Sequence, residues 1–433
     1  MLIKRAILFF SFLLPLSVPA QQQLTLEMAI DSALKNNFDI QIARNYAEIS
    51  KVNNNYGVAG GLPSINASAG DKASMNSIRQ EYSDGTNLTL NNNFGNTVNA
   101  DITMSMVLFN GMKIYATKKR LEYLQQQGTL NLNQQIQNTI ASVTMKYYDI
   151  VRQERYLGII QSTIDISQKK YEIVSARQNV GLANDADLLQ AQIDLNISEQ
   201  NLNSQQVVVS QVKTELLELM GAKNFNRALI VDSTISVDMN IQLDSVSDFI
   251  KNNYQYLSAE QQIKISEQLL KEARAQRYPS LRLNAAYDFT YTQNTKGYTL
   301  RNQNLGPYAG LNLQIPIFNG NTARIQQKTA ALNLNNARLE KESLLNNITS
   351  SAFTTYESYR SAVSSLKSQQ NNFDLSAKLV DLVMQKFQLN QSTILDLKAA
   401  QQSYENAAYL LVNLQYQAKI AETELKRLSG NLK

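Results

Sequence analysis

The chain contains no cysteine, no histidine and no tryptophan among its 433 residues. The absence of Cys excludes disulfides and thiol chemistry, and it excludes a lipid attached to an N-terminal Cys. The absence of His removes the commonest general base and metal ligand. The sequence also lacks a phosphate-binding loop and a carboxylate pair set in a Gly-rich loop, and its ten Met are scattered. We therefore expect no enzyme activity, no cofactor and no metal site.

Charged residues and helix breakers are also few. Charged residues make up 18% of the chain, and 41 basic against 36 acidic residues give a net charge of +5. This balance is not that of a nucleic-acid-binding protein. Only six Pro and 16 Gly are present, so long uninterrupted helices and strands are allowed.

Residues 1–20 are predicted to be a secretory signal peptide. Lys4 and Arg5 precede an apolar run from Ala6 to Val18, and residues 18–20 supply small side chains for cleavage before Gln21. The alternative is a membrane anchor, but the run is too short to cross about 30 Å of hydrocarbon. We expect an exported chain that starts at Gln21.

The sequence repeats itself. The segment that ends at Gly111 (LFNG) recurs at Gly320 (IFNG), and Asp187 recurs as Asp396, both at an offset of 209 residues. Two halves of about 200 residues on one plan indicate a duplicated unit rather than a solenoid.

Each repeat is predicted to consist of a helix, a β-hairpin and a pair of long helices. The first repeat covers residues 21–221 and the second covers residues 246–433, with a connecting mixed region at 222–245. The predicted hairpins lie at about 63–110 and 279–318, and the predicted helix pairs lie at 111–221 and 319–430.

Alternating apolar and polar residues predict the strands. The alternation runs from Val98 to Leu108, from Leu281 to Tyr291 and from Leu311 to Ile317. Runs of about ten residues suit membrane-spanning β-strands. An ordinary soluble hairpin is the alternative.

Helical periodicity dominates the rest of the chain. The stretch from Gly111 to about Arg177 is roughly 65 residues, which corresponds to a helix of about 100 Å. Heptads follow in the second helix of each pair, for example at Leu188, Leu195 and Leu216. They predict coiled-coil packing. Ala and Tyr in the seams favour curved sheets of helices over a two-stranded rod. A soluble bundle accounts for the heptads but not for the hairpins.

This series of elements resembles the TolC-like outer membrane efflux proteins, also called outer membrane factors, over essentially the whole mature chain. Pro63-Ser64 and Pro279-Ser280 open the hairpins, and the LFNG and IFNG segments close them. The tip Val180-Gly181-Leu182-Ala183 is followed by Asp187-Leu188-Leu189-Gln190-Ala191.

The resemblance implies a mainly α protein with a membrane β-barrel. Three chains, each with four strands, form a twelve-stranded β-barrel that is continued by a long α-helical coiled-coil barrel. The implied location is the outer membrane of a Gram-negative bacterium, extending into the periplasm. The implied function is a passive exit duct of a tripartite efflux or type I secretion system. The implied partners are two further copies, a periplasmic adaptor (membrane fusion) protein, an inner-membrane RND pump or ABC exporter, and outer-membrane lipid.

The resemblance also implies a pore constriction at the periplasmic end. Asp396 falls on the first of two aspartate positions, Ala399 on the second, and Ser392 replaces a latching Arg. Asp187 is the matching residue of the first repeat, and Phe387 is the aromatic residue before the turn. For both Asp residues, the alternative is a helix cap or a first-turn charge that meets the helix dipole.

Two further sets of site residues follow from the resemblance. The tips that contact the adaptor are Val180, Gly181, Leu182, Leu389 and Asn390, for which a plain helix C-cap is the alternative. The predicted membrane-facing residues are Leu283, Tyr287, Tyr291, Tyr308 and Leu313; Phe318 is a further candidate for the aromatic girdles.

The main rival function is that of a structural or adhesive coiled-coil protein of the surface or periplasm. That function predicts neither membrane-buried hairpins nor a duplication centred on them. A periplasmic adaptor protein is a second rival. It requires a β-rich region with a single helical hairpin, whereas this chain has two long helical pairs.

Overall fold

The structure is a computed structural model that describes residues 23–225, 229–243 and 250–432. The predicted signal peptide lies outside the described residues. In chain order the elements are α1 (Leu26–Asn36), α2 (Phe38–Asn53), β1 (Ser64–Glu81), β2 (Asn87–Asn110), α3 (Lys113–Asn179), α4 (Asp185–Leu219), a 3-10 turn (Ile250–Asn252), α5 (Tyr254–Ala275), β3 (Ser280–Asn294), β4 (Arg301–Gln314), α6 (Thr322–Gln388) and α7 (Ile394–Leu428).

The long helices come in pairs of equal length. Helices α3 and α6 each have 67 residues, and α4 and α7 each have 35 residues. At about 1.5 Å per residue, the longer helices measure roughly 100 Å. Among the described residues, none of the helices combines the length and apolarity needed to cross a membrane.

One helix of the sequence prediction is two helices in the structure. The periodicity predicts a single helix from Leu24 to about Val58, but the chain is extended at Asn37 (φ −61°, ψ 128°). The Asn37 side chain accepts hydrogen bonds from the N–H groups of Asp39 (2.9 Å) and Ile40 (3.2 Å). Asn37 therefore caps α2, and this local side-chain bond competes with a continuous helix.

The chain divides into two compact units. We call the described residues within 23–41, 136–250 and 350–432 the helical unit, and residues 42–135 and 251–349 the sheet unit. Both α3 and α6 contribute residues to each unit.

The sheet unit contains one antiparallel sheet in the order β1-β2-β3-β4. Ile102 pairs with Ala67 on one side and with Tyr287 on the other, and Tyr287 pairs with Pro307. Directly paired residues point to the same face, so the alternation of each strand continues across the sheet. The apolar face carries Ile65, Ala67, Ala69, Val98, Ala100, Ile102, Met104, Met106, Leu283, Ala285, Tyr287, Phe289, Tyr291, Leu305, Leu311 and Leu313.

A β-bulge changes the prediction at the end of β2. Val107 pairs with Arg282, and the next pair is Phe109 with Leu281. Leu108 is the extra residue, so the alternation that begins at Val98 is interrupted there. The sequence predicted that Leu108 continues the apolar face; instead, Phe109 takes that position.

The helical unit is held together by buried apolar side chains on the predicted heptads. On α4, Leu195 and Leu216 are buried, and on α7, Leu397, Leu411 and Leu425 are buried. A core cluster joins α1, α3 and α4 to the segment after residue 229; it includes Ala29, Val143, Ile150, Leu216 and Val231.

Candidate functional site

Two turns of the helical unit have the same geometry. We call residues 180–184 the first tip and residues 389–393 the second tip. Gly181 has φ +75° and Asn390 has φ +60°. The N–H of Leu182 donates to Arg177 O at 2.8 Å, and the N–H of Gln391 donates to Lys386 O at 2.8 Å. Asn390 takes the left-handed conformation that Gly181 takes in the first tip, because Asn tolerates this conformation better than most residues.

Apolar side chains project from both tips. Val180 is 69% exposed, Leu182 is 72% exposed and Leu389 is 69% exposed. Large apolar side chains clustered at a helical turn without cover are typical of a contact surface for another molecule. The five predicted tip residues thus lie in two matching turns, and three of them present apolar side chains to the outside.

The two predicted aspartates occupy the third position of their helices. Asn184 caps α4 and accepts the N–H of Asp187 at 2.7 Å. Thr393 caps α7 and accepts the N–H of Asp396 at 3.1 Å. The Asp396 carboxylate accepts the N–H and the hydroxyl of Thr393, both at 2.8 Å, which completes a capping box.

The capping box lowers the pKa of Asp396. The N–H of Thr393, followed by its hydroxyl, holds the pKa of the Asp396 carboxyl below its ordinary value of 3.8. Asp396 remains exposed. The carboxylate therefore stays ionised at neutral pH, so a structural role as a cap and an electrostatic role toward solvent are compatible.

Phe387 is placed differently from the prediction. Its side chain is only 2% exposed and packs with Val174, Val380 and Leu397. The guanidinium of Arg177 lies 4.6 Å from the centre of its ring, and Arg177 also donates to its carbonyl oxygen. A ring buried within one chain cannot line an opening, so the constriction role predicted for Phe387 is wrong. It anchors the last turn of α3 to that of α6.

A buried ionic cluster lies above the tips, and the sequence reasoning missed it. The Asp194 carboxylate on α4 accepts Lys170 Nζ from α3 at 2.6 Å and Lys398 Nζ from α7 at 2.9 Å. Gln190 donates to the same carboxylate at 2.8 Å. Burial opposes ionisation, but the hydrogen bonds from the two lysines lower the pKa of Asp194.

The position of Lys170 shows why this cluster matters. Lys170 is fully buried, with 0% exposure. A lysine is rarely buried unless it is paired with an acidic residue. The position of Lys170 on the buried side of α3 was therefore the feature of the sequence that could have predicted this cluster.

The predicted membrane-facing residues fall on two faces of the sheet. Leu283, Tyr287, Tyr291 and Leu313 share the apolar face. Tyr308 pairs with Ala286 and so lies on the opposite, polar face, between Asn284 and Asp288 in the neighbouring strand. The prediction for Tyr308 is therefore wrong. Its odd spacing from Leu311 and Leu313 determines its face, whatever its aromatic character.

The polar face carries paired carboxylates. Asp101 on β2 pairs directly with Asp288 on β3, and Ser68 on β1 donates to Asp101. Within the described ranges, no group of three or more acidic side chains is placed to hold a metal ion.

Comparison with known proteins identifies the family. The sequence profile described as "Outer membrane efflux protein" matches residues 29–222 and 246–431. The match covers most of the chain in two segments, and the chain belongs to this family. The predicted resemblance is thus confirmed, and so is the outer-membrane location. The family comprises channels rather than enzymes, and the adhesive coiled-coil alternative is not supported.

Individual relatives are distant in sequence. The chain is 20% identical over 305 residues to "Outer membrane protein TolC" of Escherichia coli strain K12; the match covers 68% of this chain and 62% of the relative, less than two thirds of its length. A membrane protein from Pseudomonas aeruginosa has a TM-score of 0.78 at 16% identity, covering 94% of this chain and 90% of that chain. The outer membrane protein VceC of Vibrio cholerae has a TM-score of 0.75 at 16% identity, covering 94% and 96%. These similarities confirm the predicted fold class of long helices with a β-sheet portion.

Proposed function

We propose that three copies of this chain form the outer-membrane channel of a tripartite efflux or type I secretion system. Substrates pass through it passively from an inner-membrane RND pump or ABC exporter. The single observation that carries the proposal is the four-stranded sheet, which is apolar on one face and polar on the other across all four strands. This pattern suits a wall between lipid and water.

The dimensions of the apolar face support insertion in a bilayer. From Leu281 to Tyr291, β3 rises roughly 33 Å at about 3.3 Å per residue. At a tilt of about 40°, this length spans about 25 Å, the height of the apolar band of outer-membrane barrels. Side chains on this face are open to the outside; Tyr287 is 50% exposed and Leu311 is 66% exposed.

The edges of the sheet support assembly. Strands β1 and β4 are the edge strands, and open edges are not tolerated in the hydrocarbon region. Four strands are too few to surround a water-filled channel. Three copies supply twelve strands and join β4 of one copy to β1 of the next, which removes the edges.

Exposed apolar side chains on two helices of the helical unit also support assembly. Leu189 and Ile193 on α4 are exposed, and so are Leu375 and Leu382 on α6. Apolar stripes of this kind on two helices favour contact with another helical surface. We infer that the two repeats make similar units, so that three copies place six of them around one axis.

The proposed partner at the tips is a periplasmic adaptor protein. Val180, Leu182 and Leu389 supply the exposed apolar contacts, on turns whose backbones are closed by their own hydrogen bonds. Substitution of Leu182 by Asp is expected to weaken adaptor binding without loss of the assembled channel.

The test is direct. Protein extracted from outer membranes in detergent is expected to have the mass of three chains and to conduct ions in planar bilayers. A monomer in mild detergent, or a trimer that never conducts, contradicts the proposal.

A further inference from the structure

A basic cavity lies in the sheet unit at the end of β3 and β4 where these strands join the helices. Its volume is about 820 Å³, and its lining comes from the end of α5, the segment after β4 and the first turns of α6. Arg277, Arg324 and Lys328 line it, and no acidic residue of the described chain does. All three side chains are exposed, and none has an ion-pair or hydrogen-bond partner among the residues that the structure describes. The cavity therefore carries uncompensated positive charge.

Comparison with the first repeat shows why Lys328 has no counterion. At the offset of 209 residues, Lys328 on α6 corresponds to Lys119 on α3. Lys119 pairs with Glu122 at 3.0 Å, whereas the residue that corresponds to Glu122 in the second repeat is Ala331. The second repeat thus keeps the cation at this place without the carboxylate that neutralises it in the first.

The beginning of α6 adds hydrogen-bond donors to the cavity. In the first repeat, the Asn110 side chain accepts the N–H of Ile114 at 3.3 Å. The corresponding residues of the second repeat are Asn319 and Ala323, which both line the cavity and form no such bond in the described structure. The first N–H groups of a long helix carry partial positive charge and attract anions. They add to the field of the three basic side chains.

Apolar side chains connect the cavity with the apolar face of the sheet. Ile315 and Ile317 follow Leu313 at every second position. Ile317 and Phe318 line the cavity and are 96% and 80% exposed. Basic groups directly beside exposed apolar side chains match a molecule with an anionic head and apolar tails. Inorganic phosphate matches only the basic part of such a site.

We propose that this cavity binds the phosphate headgroup of an anionic phospholipid in the periplasmic leaflet of the outer membrane, with the acyl chains against Ile317, Phe318 and the apolar face of the sheet. The inference rests on the proposed insertion of the sheet in the bilayer. The cavity lies at the end of the strands that leads into the helices, which is the periplasmic end of a sheet inserted in this way. Basic pockets at a membrane boundary are typical sites for anionic lipid headgroups.

The absence of natural Trp allows a fluorescence test in the full-length protein. Phe318→Trp places a single Trp at the cavity, and bromine on a lipid chain quenches its fluorescence only at close range. The protein is reconstituted in phosphatidylcholine vesicles that contain a small fraction of either brominated phosphatidylglycerol or brominated phosphatidylcholine. A preference for the phosphatidylglycerol on the order of tenfold is expected. Combined Arg277→Gln, Arg324→Gln and Lys328→Gln is expected to abolish it.

A second triple variant is the matched control. Lys51→Gln, Lys119→Gln and Arg338→Gln remove three exposed cations of the sheet unit that have acidic partners. This variant is expected to keep the lipid preference, and excess inorganic phosphate is expected to leave it unchanged in Phe318→Trp. Equal quenching by the two lipids, the same loss in both triple variants, or displacement by inorganic phosphate overturns the inference.

A further single-Trp variant distinguishes failure of this inference from failure of the proposed function. Tyr287→Trp lies on the apolar face, away from the cavity, and is expected to be quenched equally by both brominated lipids. If Tyr287→Trp is quenched and Phe318→Trp is not, another part of the assembly, such as a second copy, covers the cavity, and the inference alone is overturned. If neither lipid quenches Tyr287→Trp, the sheet does not border lipid and the proposed function is contradicted.

Discussion

Asp101 and Asp288 are direct partners across β2 and β3, two carboxylates side by side on the polar face of the sheet. Like charges directly opposite each other destabilise an antiparallel pair. Contact with water or cations, together with the hydrogen bond from Ser68 to Asp101, makes the arrangement tolerable, which is consistent with a polar face that lines a channel. In a trimer, two carboxylates from each copy lie at one level of the lumen.

Replacement of this pair by amides is predicted to change both selectivity and stability. Asp101→Asn with Asp288→Asn removes the repulsion and is expected to stabilise the barrel by about 0.2–1 kcal/mol. Cation preference in planar bilayers is expected to fall, because an acidic ring favours cations. Asp71→Asn is the matched control, since Asp71 pairs with Val98 on the other face. A double variant that keeps its full cation preference contradicts a luminal position.

The faces of the sheet can be tested with arginine. Leu283→Arg or Leu313→Arg is expected to cost about 2–4 kcal/mol if the site lies near the bilayer midplane. Asn284→Arg and Asn312→Arg, one residue away on the polar face, are expected to be mild, and Tyr308→Arg should behave like them. Unfolding in urea from lipid vesicles measures the difference. Equal costs on both faces indicate that the sheet does not border lipid.

Asp396→Asn is predicted to remove the charge of this side chain and to keep its role in the helix cap. An amide oxygen can accept the same hydrogen bonds from Thr393, so trimer stability should be nearly unchanged. Cation preference and block by multivalent cations should decrease in planar-bilayer recordings, because one acidic ring is removed. Asp187→Asn, at the matching helix position, is expected to have the smaller effect. If cation selectivity is unchanged in Asp396→Asn, the role of Asp396 is limited to capping α7.

The lowered pKa of Asp396 predicts how cation preference depends on pH. Because the folded pKa of Asp396 is lowered, its stabilising contribution is present above the ordinary value of 3.8 and is lost as the pH falls through the folded pKa. The hydrogen bonds from Thr393 should therefore shift the loss of cation preference due to Asp396 toward lower pH. Selectivity is measured in planar bilayers over a range of pH, and a decline that is identical in wild type and Asp396→Asn contradicts a role of this carboxylate.

The buried ionic cluster around Asp194 is predicted to contribute to the stability of the folded chain. Asp194→Leu leaves buried Lys170 without a counterion and is expected to cost about 3–5 kcal/mol. The double variant Lys170→Met with Asp194→Leu should recover most of this loss, because an apolar pair can replace a buried ion pair at little cost. Ser403→Leu, at the corresponding site of the second repeat, is the control and should be mild. Thermal unfolding of each variant in detergent is the measurement, and a double variant as unstable as Asp194→Leu refutes the ionic account.

Several features of this protein were accessible from the sequence because they depend on local periodicity. Apolar residues at every second position define the strands and their faces, and Leu195 and Leu216 recur on a heptad that the structure buries. Periodicity did not predict two features of the structure. A side-chain cap divides a helix at Asn37, and a β-bulge shifts the alternation at Leu108. Both depend on a single hydrogen-bonding choice that periodicity does not encode. The sequence carried the family resemblance as well, because order and spacing of short segments survive where identity is low.

Tertiary structure alone decided which distant residues meet. Asp194 joins Lys170 to Lys398 across three helices, and Phe387 is buried under Arg177 because α3 and α6 end side by side in the helical unit. Asp101 and Asp288 face each other because of the register between two strands that are far apart in the chain. Such contacts are set by helix packing and strand register, and their energies depend on burial, which no single segment specifies. For this reason the sequence determined most of the elements and most residues of their faces, whereas the buried ionic cluster, the buried ring and the carboxylate pair became visible only in the folded chain.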